Sequence, residues 1–208
     1  MSRPRILLAD DHAMVLEAFR ALLAPDFDIV GTVTDGRALL GDCARLHPDV
    51  VVLDIAMPLL NGLDAGRRLK AERPSIKLIY LTMNPDPFFA SEALRLGALG
   101  YVLKTSAASE LKQAIHEALK HRSYITPLIA GDAVVALINQ PARPELTTRQ
   151  REVLQLLAEG RSMKEAAAIL NVTPRTVAFH KYRMMEQLQV KSSAALVQFA
   201  VKNGVVTS

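Results

Sequence analysis

Four apolar residues in a row, Val50-Val51-Val52-Leu53, run straight into Asp54, and few folds have a place for that arrangement. A strand without polar alternation must be covered on both faces, as in a parallel sheet enclosed by helices. The first 120 residues keep this rhythm. Short apolar runs over residues 5–9, 28–33, 49–54, 77–81 and 99–103 predict strands, and residues 12–23, 36–46, 64–73, 87–96 and 107–120 carry the helical period between them. Five such units predict an α/β, doubly wound, five-stranded parallel sheet, and are too few for an eight-stranded barrel.

The remainder of the chain reads differently. Residues 121–144 form a linker with a short apolar helix, capped at Thr126-Pro127 and running to about Ile138. Asn139-Gln140-Pro141-Ala142-Arg143-Pro144 then reads as a tether. Residues 145–208 show only helices, predicting a smaller all-α, four-helix domain. Thr147 with Gln150 and Ser162 with Glu165 have capping-box spacing. Gly160 sits where a glycine ends a helix, Thr173-Pro174 opens another to about Leu188, and Ser192 can cap the last.

Charge divides the same way. Residues 1–120 hold 14 Lys+Arg against 15 Asp+Glu, a net of −1, and residues 121–208 hold 11 against 6, a net of +5. The second part is therefore suited to a polyanion. Half the residues are apolar and 22% are charged, which excludes a disordered or fibrous chain. No apolar run reaches the roughly 18 residues of a membrane span, and the opening MSRPRILLADDH has no secretory apolar core. The single cysteine, Cys43, cannot form an internal disulfide. A soluble, cytoplasmic protein is expected, with no membrane partner.

The acids carry the chemistry. The first strand ends in Asp10-Asp11 and the third in Asp54, so the three carboxylates converge at the crevice where strand order reverses, between strands one and three in the flavodoxin-like order. Clustered carboxylates need a hard cation, and Mg²⁺ suits a few of them with water and phosphate oxygens. The fourth strand delivers Thr82 and the fifth Lys104 to the same edge. With a metal, this set can hold a phosphoryl group on a carboxylate. Singly, each residue has a plainer role: Asp10 or Asp11 can cap the first helix, and Tyr101 can be an ordinary sheet residue.

DD after the first strand, DIAMPLLNG around Asp54, YLT at Thr82 and LGALGYVLK at Lys104 resemble the receiver domain of bacterial two-component response regulators. The resemblance implies that Asp54 accepts phosphate from a sensor histidine kinase. It implies that Asp10, Asp11 and Asp54 hold Mg²⁺ with the backbone carbonyl of Ala56, and that Thr82 and Lys104 bind phosphoryl oxygens. Tyr101 matches the aromatic that changes rotamer as Thr82 moves toward the phosphate. Thr105 departs from the family, where proline is frequent after the lysine.

A tight turn at Leu170-Asn171-Val172 fits a helix-turn-helix over about 162–181. Ala166, Ala167 and Ala168 allow its helices to cross closely, and Val177 and Met184 share an inward face. LTTRQREVLQLLAEGRSMKEAAAILNVTPRTVAFHKYRMMEQLQV resembles the LuxR-type DNA-binding domain, so the whole chain resembles a response regulator of the NarL/FixJ class. Such a protein binds double-stranded promoter DNA and forms a homodimer when phosphorylated or DNA-bound. Lys164, Thr173, Arg175, Thr176, Ala178, Phe179, Lys181, Tyr182 and Arg183 are the expected DNA-facing positions, with Ala178 standing where a lysine often reads bases. Leu196, Val197 and Ala200 of the last helix pair two protomers in the family; covering their own domain is the alternative. A Mg²⁺-dependent phosphatase is the competing class. It lacks support because Asp54 is followed by Ile55-Ala56 rather than the Asp-x-Asp pattern of haloacid dehalogenase-like phosphatases.

Overall fold

A computed structural model describes residues 3–139 and 146–206, so tether residues 140–144 lie outside the described residues. The chain divides into two compact units. The first contains β1 (Arg5–Ala9), α1 (Ala13–Leu23), β2 (Asp28–Val33), α2 (Gly36–Leu46), β3 (Val50–Leu53), α3 (Gly62–Glu72), β4 (Lys77–Thr82), α4 (Pro87–Arg95), β5 (Gly100–Leu103), α5 (Ala107–Leu119), β6 (Tyr124–Ile125) and α6 (Pro127–Asn139). The strands form one parallel sheet in the order β2-β1-β3-β4-β5-β6. Strand order reverses between β1 and β3, where the acids were expected to meet.

Pairing register explains the apolar runs. Ile6 lies opposite Val50, Leu8 opposite Val52, Val52 opposite Ile79 and Leu81 opposite Val102, which builds one continuous apolar face. Leu16 and Leu23 of α1 and Leu111 and Ile115 of α5 bury that face. Tyr80 and Leu78 point to the other side, where α3 approaches so closely that a Cβ on Gly66 would stand 2.0 Å from the Tyr80 hydroxyl. Each fully buried Leu or Ile contributes about 1.5–3 kcal/mol, so double coverage is what makes such a sheet worth forming.

The sheet has six strands rather than the five expected. β6 is two residues long, too short to show a pattern. The Tyr124 N–H donates to the Leu99 carbonyl and the Thr126 N–H to that of Tyr101, both at 2.9 Å. The Thr126 hydroxyl does not cap α6 as its sequence position suggests. It is buried, donates to Glu110 at 2.7 Å and accepts the Leu103 N–H at 3.0 Å. This stitches β5, α5 and the start of α6 together, and α6 packs on α4.

The second unit contains α7 (Thr148–Ala158), α8 (Met163–Leu170), α9 (Pro174–Gln187) and α10 (Ser193–Lys202). Its boundaries follow the punctuation in the sequence. Thr147–Gln150 and Ser162–Glu165 form reciprocal capping boxes. Gly160 takes φ +83° after α7, and Asn171 ends α8 at φ 58°. Thr173 caps α9 with Pro174 behind it, and Ser192 caps α10. Val153, Leu154, Leu156, Ala166, Ala167, Val177 and Met184 form the core. Ala168 does not join the crossing of α8 and α9; it faces solvent, one position past the buried pair. Among the described residues, no helix is long and apolar enough to cross a membrane.

Candidate functional site

Backbone pairing carries the site residues beyond the strand ends. The Asp54 N–H donates to the Ala9 carbonyl at 2.8 Å, the Asp10 N–H to Val33 at 3.1 Å and the Lys104 N–H to Thr82 at 2.8 Å. Asp10, Asp54, Thr82 and Lys104 are thereby fixed side by side at the carboxyl edge of the sheet. The loop after β3 is equally constrained. Gly62 donates its N–H to the Ile55 carbonyl at 2.8 Å, and a Cβ there would lie 2.0 Å from the Asp54 carbonyl oxygen. No other residue fits so near the strand.

Asp10 and Asp54 are buried, and the Lys104 ammonium lies 2.6 Å from Asp10 Oδ2 and 2.7 Å from Asp54 Oδ2. Burial raises the Asp54 carboxyl above its ordinary range; Lys104 opposes that rise, while Asp10 adds to it. Burial also works to lower Lys104, but Asp54 and Asp10 outweigh it and hold the ammonium above its usual value. With both acids ionised, one lysine leaves the pocket a negative charge in excess. Asp54 Oδ1 is buried without a hydrogen bond of good geometry, and the Ala56 backbone beside the carboxyl works to lower it.

Asp11 is exposed, with its carboxylate 2.7 Å from His12 Nδ1. The His12 N–H donates to Asp10 Oδ1 at 3.0 Å, so neither carboxylate caps α1. Ligand atoms of Asp10, Asp11 and His12 lie within 4.8 Å of one another. Hard carboxylate oxygens and an orphaned buried oxygen suit a small divalent cation such as Mg²⁺.

Thr82 is buried, and its hydroxyl accepts the Asn84 N–H at 3.2 Å. Tyr101 is buried with its hydroxyl donating to the Asn84 carbonyl at 2.9 Å. Asn84 is the residue that sequence reasoning misses; in Asn84-Pro85-Asp86-Pro87 it looks only like turn chemistry.

In the second unit, α9 presents Arg175, Phe179, Tyr182 and Arg183 to solvent, with Ala178 and Lys181 half-buried beside them. The Lys181 ammonium lies 5.8 Å from the Tyr182 ring centre, and Arg183 is 3.5 Å from Glu186. Thr173 and Thr176 spend their hydroxyls locally, at 2.9 Å from each other. Lys164 is exposed on α8. Burial lowers the His180 imidazole below its ordinary value, and nearby Arg149 adds to that. Leu196 and Ala200 are buried in the core of their own unit, which takes them out of any pairing surface; Val197 remains half-buried.

An α/β unit with a carboxylate–lysine pocket at its switch point, joined in one chain to a helix-turn-helix unit, defines a two-domain bacterial regulator. Residues 6–116 match the response regulator receiver domain, and residues 144–200 match the LuxR family of bacterial regulatory proteins. The chain belongs to the response regulators. It is 32% identical to the oxygen regulatory protein NreC of Staphylococcus carnosus, over 95% of this chain and 97% of that one. It is 33% identical to the transcriptional regulatory protein LiaR of Bacillus subtilis, over 97% and 99%. Among solved structures it is similar to the RcsB response regulator of Salmonella typhimurium, at 29% identity and a TM-score of 0.66 over 96% and 97% of the two chains. RcsB of Salmonella enterica serovar Typhimurium bound to a promoter in the presence of the phosphomimetic BeF3− matches at 28% identity and a TM-score of 0.64, over 100% of both chains.

Proposed function

We propose that this chain is a cytoplasmic transcriptional response regulator whose receiver domain takes a phosphoryl group on Asp54 and whose LuxR-type domain then binds promoter DNA. The observation that carries the reading is the buried Asp54 carboxylate held beside Lys104 and Asp10 at the carboxyl edge of the sheet. An Asp54 carboxylate oxygen attacks the phosphorus of a kinase phosphohistidine. The new P–O bond forms as the P–N bond breaks, and the imidazole leaves with the electron pair and takes up a proton. Asp10, Asp11, Asp54 and the Ala56 carbonyl would hold Mg²⁺, which neutralises the carboxylates and the incoming phosphoryl oxygens. Lys104 is the mobile cation that follows the phosphoryl group, and Thr82 donates its hydroxyl to it. Tyr101 reports that move through Asn84. Beyond slow loss of its own phosphoryl group, the protein has no turnover of its own.

Residues 1–120 form the phosphoacceptor domain and 145–208 the DNA-binding domain; of the stretch between them, β6 and α6 pack into the first unit. Phe179 and Tyr182 stand where base edges and thymine methyls are read, and Arg175, Lys181, Arg183 and Lys164 where phosphates are met. The Thr173 and Thr176 hydroxyls close the helix start toward the DNA backbone, and Ala178 leaves space rather than a contact. With acetyl phosphate and Mg²⁺, wild type gains one phosphoryl mass and Asp54→Asn gains none. Equal labelling of both would remove Asp54 from the mechanism.

A further inference from the structure

Helix α6 is apolar on two opposite sides. Ile129 and Ala133 are buried within its own unit, and Arg95 of α4 donates to the Leu137 carbonyl at 3.0 Å. On the outer side Leu128, Val135 and Ile138 are 78%, 56% and 75% exposed, and Gly131 has open space where a Cβ would stand. Exposed aliphatic residues in a row are costly unless something covers them.

The spacing of that row is informative. Leu128, Gly131, Val135 and Ile138 recur at intervals of three, four and three, the a and d positions of a heptad seam. Ile129 and Ala133 then fall at b and f, on the side that faces α4. α6 carries a single charge, Asp132, at an e position, and both g positions, Pro127 and Val134, are uncharged. Two parallel copies of α6 therefore meet without like-charge pairs, and Gly131 lets their backbones approach. A partner of different sequence would need no such self-complementary row.

We propose that the outer face of α6 pairs with α6 of a second copy of this chain, the helices parallel and Leu128, Gly131, Val135 and Ile138 on the seam. A 13-residue helix is about 20 Å long, and its stripe buries on the order of a few hundred Å² per partner, short of the roughly 800 Å² of a stable interface. Pairing is therefore conditional, adding to other contacts when the regulator is phosphorylated or on DNA. α6 is also the last element before the DNA-binding domain in sequence. A parallel pair sends both chains onward from the same end, as a two-fold DNA site requires. The proposal rests on the homodimeric reading above, not on which residue takes the phosphoryl group.

The test uses the full chain with Val135→Cys, a short bis-maleimide cross-linker, and acetyl phosphate with Mg²⁺ or DNA. Cys43 is buried, with its thiol pushed up to about 11, and stays silent. Covalent dimer is expected, falling at least tenfold when Ile138→Glu is added. In sedimentation, Ile138→Glu alone raises the dimer dissociation constant at least tenfold while phosphoryl uptake, followed by mass in the same samples, is unchanged. Ile138 is exposed, so folding is spared. Undiminished dimer in Ile138→Glu would overturn the proposal. So would cross-linking through Glu17→Cys on α1 without any through Val135→Cys, or an introduced thiol shielded in a chain that stays monomeric, which would mean that its own chain covers α6.

Discussion

The hydroxyls of Tyr101 and Thr82 hold opposite ends of one residue: Tyr101 donates to the Asn84 carbonyl while Thr82 accepts the Asn84 N–H. Any pull on Thr82 toward a phosphoryl group disturbs the Asn84 peptide groups, and Tyr101 is attached to the other end. Tyr101→Phe keeps the buried ring and removes the tie. It should cost about 1 kcal/mol of stability, leave phosphoryl uptake intact, and weaken the phosphate-dependent gain in DNA affinity. An unchanged gain would separate Tyr101 from the switch.

Lys104 bridges two buried carboxylates at once. Lys104→Ala leaves Asp10 and Asp54 facing each other without a cation. Breaking a buried pair of this kind costs about 3 kcal/mol, and thermal melting should show the loss. Added Mg²⁺ should recover more stability in the variant than in wild type, because the metal meets less competition for Asp10. Equal Mg²⁺ effects on both proteins would mean that lysine and metal do not share the acid.

His180 gives the second unit an acid limit. Its folded imidazole is held below the ordinary value of 6.5 by burial and by Arg149. As pH falls below 6.5, the unfolded chain takes up a proton that the folded one resists, so stability declines with falling pH in that range. His180→Gln should flatten the decline below pH 6.5. A variant with the wild-type slope would place the acid sensitivity elsewhere.

The carboxylate–lysine edge was legible because charged and hydroxylated residues stood directly after apolar runs; a buried strand leaves them only one place to go. Asp10, Asp54, Thr82 and Lys104 could be named on that ground. What the sequence hid has no periodicity. β6 is two residues long, Asn84 works through its backbone groups, and the Thr126 hydroxyl turns inward although it precedes a helix-opening proline. Leu196 and Ala200 show the opposite difficulty. An apolar stripe on a terminal helix serves its own core or a partner equally well in sequence, and here it serves the core. The outer row of α6 escaped notice because a helix apolar all round gives no sign of which side is covered.

In the proposed function, the phosphoryl group on Asp54 sets the affinity for DNA. Affinity for a cognate duplex, measured with and without acetyl phosphate and Mg²⁺ for wild type and Asp54→Asn, tests it most directly. At least a tenfold gain is expected for phosphorylated wild type, about 1.4 kcal/mol of coupling, and none for Asp54→Asn. The same gain in both proteins, or none in a wild type shown by mass to be phosphorylated, would contradict it.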